Sequence, residues 1–353
     1  MKENEPDLYQ KIHKILLPGD YIAMKFTGEL NTTTGGLSEG ILWDFVENRP
    51  AWAVMDQFGF DHELLPEVLP TFSLQGKVTE AAARACGLRP GTEVNYRAGD
   101  QPNNALSLNV IEPGEVAATG GTSGVVYGVV DRAAYDPQMR VNSFAHVNHS
   151  AATPRIGVLL CINGAGIQYS WIKHNVAEAS TSWADMERAA AALPPGSEGL
   201  RILPFGNGAE RMLGNRLLGS QINNLQLNLH DKAHLYRATL EGLAFAFVYG
   251  MKIMEEMGLD LKVIRAGNDN LFQSDIFSHT ISGLLGNRIE LIETTGAVGA
   301  ARAAGLANGL CASLREALST GKPLKAFEPV WNKANLEEAY GLWKADLGRM
   351  ISG

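Results

Sequence analysis

Cysteine is scarce in this chain of 353 residues: Cys86, Cys161 and Cys311 are scattered, odd in number and without the paired spacing of metal sites. That argues against a disulfide framework or a zinc module and for reduced thiols. Basic charge is in deficit, with 30 Lys and Arg against 38 Asp and Glu, a formal net charge of −8. No basic stripe is present to neutralise a run of phosphates, so a nucleic-acid partner is not expected. Long apolar runs are missing too. None nears the roughly 20 residues of a membrane span, and the opening residues Lys2, Glu3, Glu5 and Asp7 lack a signal-peptide core. The expectation is a soluble cytoplasmic protein with no membrane partner. Internal repeats at solenoid or propeller periods are absent, as are low-complexity linkers. What remains, 45% hydrophobic residues in a length suited to about two domains, is enough for substantial cores.

The most informative stretch present is Arg97-Ala98-Gly99-Asp100-Gln101-Pro102-Asn103-Asn104, followed farther on by Gly120-Gly121-Thr122-Ser123-Gly124. Residues 94–98 read as a short strand ended by Gly99-Asp100, with a helix starting at Pro102. Asp100 then stands at the carboxyl end of a strand, where open α/β sheets gather their ligands. Residues 116–119 and 125–130 read as strands joined by the glycine turn, whose backbone N–H groups suit an anionic phosphate. Taken singly, a Gly-Asp pair is a turn former and a glycine run between strands is a hairpin turn. The functional reading rests on the two together with the segments downstream.

Elsewhere, 7–17 reads as a helix, 31–36 as a loop rich in Thr and Gly, and 158–162 as a further strand. Residues 231–258 give the clearest helix, because Tyr236, Leu240, Leu243, Phe247, Met251 and Met254 recur at spacings of three and four. That stripe reads as core, and Arg237 and Glu241 are placed to pair at i and i+4. Residues 263–270 read as a strand ending in a polar turn, with a helix over 273–285. His146-Val147-Asn148-His149 has no further ligand cluster of suitable spacing, so no metal site is assigned and His146 reads as structural or pocket-lining. Glu210-Arg211, following Pro204-Phe205-Gly206-Asn207-Gly208, reads as an exposed loop.

Further segments complete a pattern: Leu16-Leu17-Pro18-Gly19-Asp20-Tyr21 with Phe26-Thr27-Gly28-Glu29, Tyr236-Arg237-Ala238 with Leu240-Glu241-Gly242-Leu243-Ala244-Phe245, and Gly296-Ala297-Val298-Gly299-Ala300-Ala301. With Gly99-Asp100, Gly121-Thr122-Ser123-Gly124 and Glu210-Arg211, they stand in the order found in the FGGY family of carbohydrate kinases. Over nearly its whole length the chain resembles that family, and within it the xylulokinases.

The resemblance implies an actin-like, ribonuclease-H-type α/β fold with a mixed central sheet. Residues 1–118 would belong to a sugar-side first domain carrying the catalytic Asp, and 119–353 to a complete nucleotide-side second domain. It implies phosphoryl transfer from ATP to a sugar hydroxyl, in the xylulokinase case D-xylulose to D-xylulose 5-phosphate, a reaction that asks the protein mainly to position groups and neutralise charge. Asp100 would be the general base, and Gly121, Thr122, Ser123 and Gly124 would hold the ATP phosphates. Ala266, Gly267, Asn268 and Asn270 would face the adenine, and Mg2+ would bridge the phosphates largely through water. In most of the family the adenine turn is a run of glycines ending in serine. Here only Gly267 remains, with Asn and Asp tolerating left-handed backbone better than other side chains. The helix near Thr295-Gly296-Ala297 would be a second nucleotide wall, or its small residues would serve close helix packing.

The family's opening Asp-x-Gly-Thr strand has no counterpart in this sequence. The resemblance therefore implies a first domain without its first half, little turnover by this chain alone, and a homo-oligomer or a complementing N-terminal segment as partner. A vestigial nucleotide-binding protein, and a kinase acting on another sugar or polyol, are the alternatives.

Overall fold

The centre of the molecule, a computed structural model describing residues 1–319, 322–329 and 334–352, is a mixed sheet of seven strands. Across it run Lys325–Phe327, Arg288–Ile292, Val263–Gly267, Glu115–Gly120, Gly124–Val130, Ile156–Ile162 and Asn142–Ala145. The strands expected at 116–119, 125–130 and 158–162 are all present and slightly longer. Val116, Val126, Val158, Leu160, Ile264 and Ile289 are fully buried, as expected of central strands covered on both faces. Glu115–Gly120 and Gly124–Val130 form an antiparallel hairpin that closes at Gly120 opposite Gly124. Val263–Gly267 lies parallel to both Glu115–Gly120 and Arg288–Ile292, so these three strands bring their carboxyl ends to the hairpin's tip.

The helix Lys232–Glu256 crosses one face. Asp231 caps it, its side chain accepting from the Ala233 and His234 amides. The apolar stripe is core, with Leu240, Leu243, Phe247, Met251 and Met254 all fully buried. Arg237 and Glu241 pair at 2.8 Å within that core. Leaving this pair dry is tolerable because each partner has more bonds: Arg237 donates to the Ala190 and Leu193 carbonyls, and Glu241 accepts from the Gly196 amide.

The first hundred residues fold as smaller pieces, and here the sequence reading needs correction. The expected helix over 7–17 is only Pro6–Tyr9. Beyond it the Ile15 amide bonds to the Leu64 carbonyl and Lys14 donates to the Glu63 and Leu65 carbonyls, so tertiary partners take the segment away from helix. The helix forms later, over Pro18–Thr27, with Pro18 in its first turn and Gly28 closing it at φ 79°. The expected loop at 31–36 is a strand, Asn31–Thr33, running parallel to Glu67–Leu69, then a helix, Thr34–Glu39, capped by Thr33. The strand expected at 94–98 is only Glu93–Val94. Residues 95–99 leave the ladder, and the Arg97 side chain is drawn into a buried cluster with Asp20, Gln75 and Asn31. The next helix, Asp100–Ser107, starts two residues before the expected Pro102.

Candidate active site

Asp100 therefore sits in the first turn of a helix rather than at a strand end. Its carboxylate is exposed, accepting from the Gln101 amide at 2.8 Å and the Gln101 side chain at 3.3 Å. The helix is held from both sides. Asn103 accepts from the Tyr96 hydroxyl at 3.0 Å and donates to the Gly296 carbonyl at 2.9 Å. A Cβ on Gly299 would stand 2.5 Å from that of Ser107, so the small residues of Gly296–Ala307 serve close packing against the Asp100 helix.

The glycine hairpin is fixed by its carbonyls. Those of Gly121 and Thr122 accept from the Gly166 and Ile167 amides at 2.9 and 3.1 Å, which satisfies the start of the helix Gly166–Asn175. Gly124 faces the Phe247 ring, and a Cβ there would come within 2.4 Å of it. Gly120 backs onto Leu271. Thr122 is exposed and Ser123 half-buried. On the adjacent strand Cys161 pairs with Val125, next to the tip. Burial pushes the Cys161 thiol up, Arg211 pulls it down, and Glu210 and Asp100 add to the rise. The bond from Asn103 to the Gly296 carbonyl ties the Asp100 helix to the segment just past the carboxyl end of Arg288–Ile292, so the two features singled out in the sequence share one end of the sheet.

The polar turn after Val263–Gly267 meets them there. Ala266 lies opposite Ala118 on the hairpin strand, and Leu271, just past the turn, is the residue packed on Gly120. Asn270 adopts φ 50°, the left-handed conformation that asparagine accommodates. Gln273 holds the Asn268 carbonyl at 3.0 Å. Asn268 and Asn270 are exposed, Gly267 half-buried and Ala266 buried.

One sequence reading changes. Glu210 is fully buried, not on an exposed loop: its carboxylate accepts from the Asn163 and Gly164 amides at 3.0 and 2.8 Å. It thereby ties its own segment to the end of Ile156–Ile162, while Arg211 donates to Met139 and Asn142. His146 is buried, its Nδ1 3.1 Å from the Tyr127 hydroxyl, and burial lowers its pKa to about 3. It is a neutral core residue, and among the described residues no group of three or more His, Cys, Asp or Glu could hold a metal ion.

One residue of the site escaped the sequence reading. Glu39 ends the helix Thr34–Glu39, and its carboxyl group lies directly on the backbone of Gly99, so close that a Cβ at 99 would fall 1.8 Å from Oε1. Burial raises its pKa to about 7, with Asp100 and Asp20 adding to the rise and the Gly99 amide opposing it. Sixty residues of sequence separate the acid from the glycine, and only the glycine requirement at 99 hinted at a neighbour.

The chain that carries these parts matches known proteins. Residues 1–107 match the N-terminal domain of the FGGY family of carbohydrate kinases and 116–308 its C-terminal domain. The chain belongs to this family, and its fold is the family's actin-like one. It is similar to the xylulose kinase of Bacillus subtilis (strain 168), 25% identical over 329 residues covering 90% of this chain and 62% of that protein. It is likewise similar to the L-xylulose/3-keto-L-gulonate kinase of Escherichia coli (strain K12), 27% identical over 90% of this chain and 62% of that protein. Both relatives are thus spanned over about three fifths of their length. Among solved structures, a ligand-bound xylulose kinase from Lactobacillus acidophilus superposes with a TM-score of 0.89 at 19% identity, covering all of this chain and 71% of that one. No helix among the described residues is long and apolar enough to cross a membrane.

Proposed function

We propose that this chain is the nucleotide and catalytic part of an ATP-dependent sugar kinase, with D-xylulose as the favoured acceptor. The observation that carries the reading is the exposed Asp100 carboxylate at the sheet end where the 120–124 hairpin and the 266–270 turn meet. In this reading Asp100 accepts the proton of the attacking hydroxyl, and placing an acceptor beside a phosphate-binding hairpin supplies the in-line geometry. The amides of Gly121, Thr122, Ser123 and Gly124 with the two hydroxyls hold the phosphates, and Ala266, Gly267, Asn268 and Asn270 line the adenine. Magnesium arrives on the nucleotide, keeping waters as it prefers, and no side chain of this chain is assigned to it. In this reading Asp100 belongs to a first domain, 1–118, and the hairpin to a second, 119–353.

Calorimetry with magnesium-ADP, together with a coupled assay of ADP release on adding D-xylulose, tests this. Wild-type protein binds the nucleotide and shows slow xylulose-dependent ADP release; Asp100→Asn leaves the binding within about twofold and removes that release, loss of a general base typically costing about 10²–10⁴ in rate. No binding at millimolar nucleotide, or equal turnover in the variant, overturns the reading.

A further inference from the structure

We propose that Glu39 sets acceptor specificity: with Asp100 it makes a two-carboxyl sugar site that takes neutral polyhydroxy acceptors and rejects those carrying a carboxylate. The proposal rests on the kinase reading above and deepens it.

Glu39 is not a surface acid that happens to lie near. Its helix is pinned to the central sheet, since the Ser38 hydroxyl accepts from the Ala145 amide at 2.9 Å and donates to the Gly35 carbonyl at 2.9 Å. The carboxyl group covers Gly99, the residue preceding Asp100, and it fills the space a side chain at 99 would need. Its Oε1 is buried without a hydrogen-bond partner. A buried polar atom left unpaired is costly, and the hydroxyl of a polyol is a group that could satisfy it beside the one that Asp100 takes.

The charge around the pair is of one sign. Among the described residues neither Glu39 nor Asp100 is in an ion pair. Arg97, the closest cation in sequence, is spent on Asp20, Gln75 and Asn31. Arg211, near Cys161, donates to Met139 and Asn142. The groups facing Glu39 are Asp100 and Asp20, which repel its charge, and the phenols of Tyr96 and Tyr127, whose own pKa values are raised by burial and by Glu39. A third carboxylate brought in by the acceptor meets two like charges in a partly dry site where Arg97 and Arg211 are already engaged. Like charge placed this way discriminates by repulsion, the cheaper half of specificity. The choice is a real one in this family, because the similar E. coli protein is named for L-xylulose and for 3-keto-L-gulonate, which is an acid.

The test is calorimetry of the full chain with magnesium-ADP present, titrating D-xylulose and D-gluconate at pH 6 and pH 8. Wild-type protein binds xylulose at least tenfold tighter than gluconate at pH 8, and the ratio shrinks at pH 6 as Glu39 takes up its proton. Glu39→Gln, which keeps shape, narrows the pH 8 ratio at least fivefold and removes its pH dependence, while Glu39→Asp retains both in part. A ratio unchanged in Glu39→Gln, or gluconate bound as tightly as xylulose by the wild type, overturns the proposal. So does failure of both sugars to bind while ADP binds. Failure of ADP to bind overturns the kinase reading and this proposal with it, so the two failures are told apart by the nucleotide titration.

Discussion

The Arg97 guanidinium donates from Nε to Asp20 Oδ1 at 2.8 Å, with both side chains about nine-tenths buried. The two residues come from the two ends of the first domain's sequence. Asp20 also accepts from Thr32, and Arg97 reaches Gln75 and both the carbonyl and the side chain of Asn31. One cation thus fastens a helix, a strand and the segment leading to Asp100.

Removing that cation should be expensive. Arg97→Ala leaves the Asp20 carboxylate buried without its counter-charge, a change that typically costs about 3–5 kcal/mol. Urea denaturation followed by tryptophan fluorescence should show the loss, and Asp20→Asn in the Arg97→Ala background should recover part of it. A loss under about 1 kcal/mol would mean the cluster opens to water.

The hairpin glycines divide by what surrounds them. Gly124→Ala drives a Cβ into the Phe247 ring, itself edge-on to Phe272 and Phe277 in a packed aromatic group, and should cost about 1–3 kcal/mol. For Gly121 the nearest atom to an added Cβ is 3.8 Å away. Gly121→Ala should therefore leave thermal stability nearly unchanged. Equal melting temperatures for the two variants would contradict the packing described.

Stability should also depend on pH through His234. Burial lowers the pKa of this imidazole, but its contacts with Glu198 and Asp231, each 2.8 Å, outweigh that and raise it above 6.5. A histidine with a raised folded pKa contributes fully below the unfolded value and loses that contribution as pH rises through the folded one. Glu39, raised to about 7, loses stability with rising pH in the same sense, so the informative comparison is between proteins that share it. Melting temperatures measured from pH 6 to pH 8 should fall more steeply for wild type than for His234→Gln. Parallel curves would refute the assignment.

Much of the second domain was legible because its signals are local. The long helix announces itself in a 25-residue amphipathic run with Asp231 at its start, and the hairpin in two valine-rich runs about a glycine turn. The first domain was harder for a physical reason. The segment after Tyr9 has a helix's composition, yet Lys14 and Ile15 find partners fifty residues on. Glu210 follows glycine and asparagine and so resembles a loop acid, but two amides from Asn163 and Gly164 receive it in the interior. Glu39 faces Gly99 only because Ser38 docks its helix on Ala145. Contacts of that range leave no periodicity in the sequence.

The helix Gly166–Asn175 has no side chain at its own N-cap; the hairpin's Gly121 and Thr122 carbonyls receive its first amides instead. The two elements are therefore a single mechanical part, a lever whose short arm is the hairpin and whose long arm is the helix. A group that grips the hairpin's amides loads the opposite side of the same peptide units whose carbonyls hold the helix. Polarised peptides strengthen their bonds on both sides, so a group held at the tip would tighten the bonds that start the helix.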